Sequence, residues 1–499
     1  MIQHKYKVLP VMFFFCLFLP CVLLSALPSR DNQNAELRFG VMSEPATLDP
    51  VSPSNTADGR SVLFNVYEGL VKSDTSGRLL PAAAESFNIS KDALVYTFTL
   101  RGGLKFQDGT AVTASDAEFS LNEAKKNNFI GLGNINKIET SGDRVVIITL
   151  NDPDPDFLPY LTVGIVPKNN TDRENNPIGT GPFKIEKYSP QQELVLVKNP
   201  YYWQSGLPKT DRVTVVFSGD NNALYTGLEG GNINGAMVTP DVLGKLDQKK
   251  YEIVTGYSNS VQMMALNNSV KPLNDIRVRQ ALNYAIDVKD IIDSAFYGRG
   301  EPSGSPLIPG LKLYYNETLK DPYPFDIAKA KTLLTDAGYP NGFDLEIKVP
   351  SNYAMHIDTA QVIINQLAKI NVHATIRLVD WATWLTDVYR GRNYEATVIS
   401  LDGSTISPQS FLSRYVSSSA SNFLNFKSDT YDKLFAQILT ETNEDTRIQM
   451  YKQAQKIISD EAAAVYIQDI YAFQVFSGGF RGALTYPLYV LDFSVISRN

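Results

Sequence analysis

Polar and apolar residues alternate over several short stretches near the start of the chain, and this pattern predicts strands. Residues 37–41 (LRFGV) and 96–100 (YTFTL) place apolar side chains at every second position, which is typical of a strand with one buried face. The Asp-Gly pair at 108–109 predicts a hairpin turn. Thr113 and Asp116 then have capping-box spacing. Residues 37–121 therefore predict strands with a helix-like run at 62–70 among them, followed by one capped helix.

A period near 3.6 appears in the second half of the chain. Apolar residues recur at i, i+3, i+4, i+7 and i+8 from Val278 to Ile286, which predicts an amphipathic helix. A strand at 344–349, a helix at 359–370 and a strand at 372–379 form an alternating pattern that is typical of a β-α-β unit. A helix at 445–461 and a strand at 464–468 follow. The pattern predicts an α/β fold.

Longer blocks of sequence are more specific than this periodicity. Residues 176–183 read NPIGTGPF, residues 199–203 read NPYYW, and residues 273–287 read LNDIRVRQALNYAID. Together with the segment 37–121, and in this order, they resemble bacterial extracellular solute-binding proteins of the peptide- and nickel-binding family 5, which includes oligopeptide- and dipeptide-binding proteins. The resemblance extends over residues 37–490.

The resemblance implies a two-lobe periplasmic-binding-protein fold of the large peptide-binding type. The first lobe is expected to be discontinuous, with lobe I at 36–258, lobe II at 259–470 and a return segment of lobe I at 471–499. Two crossings, near residues 256–265 and 471–480, are expected to form a hinge of paired strands.

The N-terminus predicts a targeting segment. Lys5 and Lys7 precede a nearly continuous apolar run at 8–27 that ends in Ser25-Ala26, as in a secretory signal peptide. Residues 1–28 are therefore expected to be a signal peptide cleaved at 26–29, or alternatively an uncleaved anchor. Both cysteines lie in this run, so the mature chain is expected to have no disulfide.

The excess of acidic over basic residues argues against a nucleic acid as the partner. Without Lys5 and Lys7 the chain keeps 44 of its 46 basic residues against 53 acidic ones. Phosphate binding needs clustered Lys and Arg, and the sequence has no such cluster. An acidic exported protein with no nucleic acid partner is expected.

The sequence lacks the motifs of common enzymes. It contains no G-x-S-x-G, H-E-x-x-H, Walker A or dinucleotide G-x-G-x-x-G motif. The mature chain has two histidines, His356 and His373, and His373 alternates with apolar residues in a predicted strand. We expect no enzyme, no cofactor and no metal, although a secreted hydrolase stays open as an alternative.

The resemblance also implies which segments line a cleft between the lobes. The loop after the first strand offers Ser54, Asn55 and Thr56. A second-lobe loop at 350–358 offers Asn352, Tyr353 and His356. A later segment offers the remaining expected ligand-binding residues, which are Trp384, Asp402, Ser404, Ser407 and Tyr415. The resemblance implies that Trp381 has a packing role.

Two charged anchors of dipeptide recognition are absent from their expected positions. Dipeptide binders carry an arginine within the segment that corresponds to 350–358, and this chain has none there. The acid that captures the peptide's free amine is replaced by Ser407, for which Asp402 is a possible substitute. A neutral serine cannot compensate a buried ammonium, so a plain dipeptide is not the expected ligand.

The sequence therefore favours a periplasmic, monomeric protein that captures a solute and delivers it to the permease of an ABC importer. An oligopeptide, held mainly through its backbone, is the expected ligand. A nickel chelate, for which His356 alone is a weak signal, a sugar or another small solute is the alternative.

Overall fold

The computed structural model describes residues 36–55, 57–403, 405–487 and 490–498 of the chain, and the side chains of residues 57 and 58 are not part of that description. The predicted signal segment lies outside the described residues. Within the described ranges, no helix combines the length and the apolar character that crossing a membrane requires.

The strands fall into one large mixed sheet and three small sheets. They are β1 Leu37–Val41, β2 Val71–Ser73, β3 Leu79–Pro81, β4 Ala84–Ile89, β5 Val95–Leu100, β6 Ile135–Ser141, β7 Val145–Leu150, β8 Phe183–Ser189, β9 Glu193–Lys198, β10 Arg212–Phe217, β11 Gly235–Val238, β12 Glu252–Leu266, β13 Gly300–Pro302, β14 Phe343–Pro350, β15 Val372–Val379, β16 Ala396–Asp402, β17 Ala464–Phe476, β18 Phe480–Arg481 and β19 Ser497–Arg498.

Helices cover the sheets, and most begin at a polar residue that accepts a backbone hydrogen bond. They are α1 Ala57–Leu63, α2 Ala114–Lys126, α3 Asn221–Glu229, α4 Pro240–Lys245, α5 Ile276–Ala285, α6 Val288–Phe296, α7 Ile327–Asp336, α8 Ala354–Leu367, α9 Trp381–Thr383, α10 Gln409–Leu412, α11 Asp429–Ile438 and α12 Glu444–Asp460; a π-helical segment, Trp384–Arg390, continues α9. Thr113 caps α2 through the predicted capping box with Asp116, and Asp275 caps α5.

The large sheet runs through both lobes in the order β15-β14-β16-β12-β17-β11-β1-β10-β9-β8, with β13 added beside β17. Strands β1 and β10 are parallel, and β14 and β15 are parallel neighbours joined by α8. This is the predicted β-α-β unit. A separate antiparallel sheet, β4-β5-β7-β6, belongs to the first lobe.

Two long antiparallel strands connect the lobes. Strand β12 pairs with β17 from Glu252 opposite Phe476 to Ala265 opposite Ala464, with irregularities after Tyr257 and Gln262. The first of these bulges changes the direction of the strands near their middle, where the chain passes from one lobe to the other. This is the expected hinge of two paired crossing segments.

The hydrophobic cores divide along the same line. Two cores are built from residues 261–470. Three others are built from residues 37–246 together with 473–496, so that the chain's end returns to the first lobe. The lobe boundaries at 258–259 and 470–471 stay predictions.

Three elements differ from their predicted extents. Helix α8 begins at Ala354 rather than at residue 359, so the second half of the predicted 350–358 loop is helical. Strand β17 continues to Phe476 and joins the predicted strand at 464–468 to the crossing that was expected to begin at 471. The helical run predicted near 62–70 ends at Leu63 and gives way to turns.

Candidate functional site

A cleft lies in the first lobe and is bordered by the second. It encloses about 1100 Å³ of empty space, counting the part that is open to solvent, which is close to the upper end of the range for small-molecule pockets. Most of its lining comes from the segments 50–73, 129–130 and 159–164. The second lobe contributes Thr405 and Ile406.

Helix α1 and the turns after it present one face to this cleft. Arg60, Leu63, Phe64 and Tyr67 all line it and are spaced i, i+3, i+4 and i+7. The helical hydrogen bonds from Phe64 N to Arg60 O (2.9 Å) and from Tyr67 N to Leu63 O (3.0 Å) continue past the helix end. Side chains at this spacing lie on the same side of a helix, so Arg60 shares the face that carries the two aromatic rings.

The cleft walls are largely apolar and aromatic. Phe64, Tyr67, Phe129 and Tyr160 contribute rings, and Ile406 faces them from the second lobe. Burial raises the pKa of Tyr160 to about 12, and burial also raises the pKa of Tyr67 above its usual range. Both phenols therefore stay neutral at physiological pH. The Tyr67 hydroxyl donates to Leu48 O (2.9 Å), which leaves its ring as the surface that a ligand can contact.

Among the residues that the structure describes, the charged ones in the cleft lining are Arg60, Glu68 and Lys72. Glu68 is buried, and its carboxylate accepts from Lys72 Nζ (2.9 Å) and from Trp203 Nε1 (2.7 Å). The Tyr202 hydroxyl donates to it as well (2.9 Å). Because Glu68 and Lys72 neutralise each other, Arg60 is the remaining charge among these described residues.

The sequence blocks that carry the family resemblance meet behind this cleft. Gly181 N donates to Val66 O (2.9 Å) and Phe183 N donates to Asn65 O (2.9 Å). A Cβ on Gly179 would lie 2.2 Å from Val66 O, so the glycines of the GTGPF block allow this close approach. That block and the Trp203 indole thus hold the 65–68 segment, and with it the cleft floor, in place.

The structure places the first predicted group beside the cleft. Asn55 lines it, but its side chain is buried and binds the loop itself, accepting from Thr47 N (3.2 Å). Ser54 is exposed. Thr56 lies outside the described residues. Direct ligand contact by this group stays a prediction.

The residues of the second predicted group differ in exposure, because α8 starts earlier than predicted. Asn352 and Tyr353 are exposed, whereas His356 lies in the first turn of the helix and is buried. Gln262 Nε2 lies 3.1 Å from His356 Nδ1 and donates to Thr359 Oγ1 (3.0 Å). Burial lowers the pKa of His356 to about 4. His356 is therefore a neutral, hydrogen-bonded side chain of the second-lobe interior.

The exposure of the two neighbouring tryptophans is the reverse of what was expected. Trp384 is 2% exposed, and its indole Nε1 donates to Thr397 Oγ1 (3.0 Å). Trp381 is 38% exposed and stacks on Trp384 with ring centroids 5.1 Å apart and planes within 3°. Tyr353 contacts the Trp381 ring edge-on at 5.5 Å. Tyr353 and Trp381 thus form an exposed aromatic pair on the second lobe, and the ring with free surface is Trp381.

Two of the remaining predicted residues, Asp402 and Tyr415, differ in their burial. Asp402 ends β16, where it pairs with Ser260 in the ladder, and its side chain is exposed. Tyr415 is buried against Phe426, and burial raises its pKa to about 12. Ser404 lies outside the described residues. Ligand contact by these residues stays a prediction.

Ser407 lies in a buried polar cluster between the lobes. Its hydroxyl donates to Asp156 Oδ2 (3.3 Å), and Asp156 belongs to the first lobe. The Tyr451 hydroxyl donates to the same oxygen, and Arg447 Nε lies 3.3 Å from Asp156 Oδ1. Both charged side chains are less than a tenth exposed. We call these four residues the Asp156 cluster; it joins α12 and the 405–408 segment to the first lobe.

Neither Arg60 nor Asp156 was found by sequence reasoning. The i, i+3, i+4, i+7 spacing from Arg60 to Tyr67 was a usable signal for a helical face, but it does not say which surface that face lines. Asp156 had no signal, because its partners lie more than 250 residues away. Within the described ranges, no group of three or more His, Cys, Asp and Glu side chains is placed to hold a metal ion.

Comparisons with known proteins agree with this architecture. A family model for bacterial extracellular solute-binding proteins, family 5 (middle region), matches residues 78–423. Heme-binding protein A of Haemophilus influenzae is 30% identical over 468 residues, covering 85% of each chain.

Two solved structures are similar over nearly their whole length. The periplasmic murein tripeptide-binding protein MppA, in its unliganded open form, has a TM-score of 0.83 at 24% identity, covering 93% of this chain and 97% of that one. DppA of Helicobacter pylori in complex with the peptide STSA has a TM-score of 0.72 at 26% identity, covering 94% and 99%.

Proposed function

Because the chain belongs to the bacterial extracellular solute-binding proteins of family 5, we propose that its solute is an oligopeptide, captured in the cleft beside α1. Members of this family bind solutes for ABC importers, so the chain is a transport binding protein and not an enzyme. The hydrolase alternative is dropped on that ground.

The observation that carries the proposal is the cleft itself. Its aromatic and apolar walls suit the side chains of a peptide, since such rings bury large areas and stack. Of the residues that the structure describes, the second lobe contributes Thr405 and Ile406 to its border, so most of the contacts that a ligand would make with that lobe require the lobes to approach each other.

Closure about the hinge follows from the same arrangement. The lobes are joined by β12 and β17, and their pairing is irregular after Tyr257, where a bend needs the least disruption of the ladder. The chain superposes better on an unliganded open relative than on a peptide-bound one, which supports an open lobe arrangement here. A ligand that contacts both lobes shifts the population toward the closed form.

The relatives support a peptide but also a wider range of solutes. One similar structure is described as a complex with the peptide STSA, whereas a similar sequence is named for heme. We propose further that the mature chain acts outside the cytoplasmic membrane as a monomer, with residues 1–28 cleaved or kept as an anchor, and delivers its ligand to the cognate permease.

The test begins with the ligand that the protein carries. Native mass spectrometry of the exported, purified protein should show an adduct that gives peptide fragments on dissociation. An adduct identified as a metal chelate or a sugar would overturn the oligopeptide assignment. Small-angle scattering with saturating ligand should then show a smaller radius of gyration, and an unchanged radius would remove hinge closure while leaving the binding role.

A further inference from the structure

Among the described residues of the cleft lining, one cation has no acidic partner. Lys72 and Glu68 form an ion pair at 2.9 Å. The guanidinium of Arg60, in contrast, forms no hydrogen bond or ion pair with any residue in the part of the chain that the structure describes. Described surface arginines elsewhere commonly have a carboxylate, as Arg277 has in Asp275 at 2.6 Å and Arg144 has in Glu85 at 2.7 Å.

Arg60 lies where it can act together with the aromatic walls. It shares one helical face with Phe64 and Tyr67, and all three line the cleft. A guanidinium presents five N–H donors in a planar fork that matches a carboxylate or sulfonate with two parallel hydrogen bonds. An apolar body packed on the rings would place an attached anionic group at this fork.

We propose that Arg60 anchors an anionic group of the ligand, and that the cleft selects amphipathic anions with an apolar or aromatic body. This inference rests on the proposed function and names its ligand class: a peptide bound here is held by a carboxylate. It also revises an expectation from the sequence, where only the 350–358 segment was searched for a carboxylate-binding cation. The cation lies in the other lobe.

The test uses two probes with the same aromatic body. 8-Anilinonaphthalene-1-sulfonate carries one sulfonate, and N-phenyl-1-naphthylamine lacks it. Fluorescence titration should show that Arg60→Gln weakens binding of the sulfonate at least about tenfold, which corresponds to about 1.4 kcal/mol, and weakens the neutral probe less than about twofold. Arg60→Lys should recover part of the loss, because it keeps the charge and removes the fork.

The matched control is Arg481→Gln. Arg481 is also an exposed arginine of the first lobe and is outside the cleft lining, so its loss should leave both affinities unchanged within about twofold. Equal melting temperatures of the three variants and the wild type would show that they are folded. The inference is overturned if Arg60→Gln changes the two probes alike, if Arg481→Gln weakens the sulfonate as much, or if the wild type does not bind the sulfonate saturably.

A competition arm separates this inference from the proposed function. The peptide Ac-Ala-Phe-Leu-Ala with a free carboxylate should displace the sulfonate probe at a concentration at least about tenfold lower than its C-terminal amide does. If the probes behave as expected and neither peptide competes, Arg60 is an anion anchor and the oligopeptide assignment is wrong. If both peptides compete equally and Arg60→Gln has no effect, the peptide role stands and the anchor is refuted.

Discussion

Removing the carboxylate of the Asp156 cluster should destabilise the folded protein strongly. Asp156→Ala leaves Arg447 as a buried cation without its anion, and leaves the hydroxyls of Ser407 and Tyr451 without their acceptor. Removing one partner of a buried pair typically costs about 3–5 kcal/mol. Coulomb's law at the 3.3 Å separation and an effective dielectric of about 20 gives about 5 kcal/mol. We therefore expect a loss of about 3–5 kcal/mol in the free energy of unfolding.

Urea unfolding followed by tryptophan fluorescence measures this loss. Trp203 reports on the first lobe, while Trp381 and Trp384 report on the second. Because the cluster joins the two lobes, the unfolding midpoint should fall in the signals of both. A shift confined to the tryptophans of one lobe would contradict a role between the lobes.

The double variant Asp156→Leu/Arg447→Met is the control. It replaces the ion pair by apolar side chains, and such replacements are often close to neutral. The double variant should therefore be more stable than Asp156→Ala, by roughly 2 kcal/mol or more. The reasoning is refuted if Asp156→Ala costs less than about 1 kcal/mol, the range expected of an exposed pair.

Three further predictions concern buried groups of the second lobe and the hinge. Burial lowers the pKa of His356 to about 4, while an unfolded histidine titrates near 6.5, so the unfolded chain binds more protons between these two pH values. The wild type should therefore lose stability on the order of 3 kcal/mol between pH 7 and pH 4 through this group. His356→Gln should remove that loss, measured by urea unfolding at each pH. Burial raises the pKa of Asp469 to about 7, so the folded chain holds the extra proton between about pH 4 and 7 and stability falls as the pH rises through that window. Asp469→Asn should remove this loss of stability. For either variant, a pH profile of stability parallel to that of the wild type would contradict the assignment. Trp384→Ala should cost about 3–5 kcal/mol in unfolding free energy, because the ring is buried and hydrogen-bonded. Trp381→Ala removes an exposed ring and should cost less than about 1.5 kcal/mol. Equal costs would contradict the difference in burial between the two rings.

The sequence by itself determined most local elements of this protein. The capping box at Thr113 and Asp116 and the β-α-β unit ending in β15 lie where pattern and cap residues predicted them. These signals depend on interactions within a few residues, such as side chains that satisfy the first free N–H groups of a helix. The family, and with it the two-lobe fold and its hinge, was also readable from blocks such as GTGPF.

Tertiary structure decided which of these elements form the site. A stripe of apolar residues says that one face is buried, but it does not name the surface that covers it, so the burial of Trp384 and the exposure of Trp381 could not be ranked from the chain. The early start of α8, which buries His356, was likewise invisible because helix boundaries are set weakly by local sequence.

The charged residues of the cleft lining and of the Asp156 cluster follow the same rule. Arg60 is an ordinary helical arginine in the sequence, and only the fold shows that Glu68 has paired with Lys72 and left Arg60 unbalanced beside the aromatic walls. Asp156 acquires its partners from residues 251 to 295 positions away. Electrostatic pairing depends on distance in space and on burial, and neither quantity is written in the local pattern of one chain.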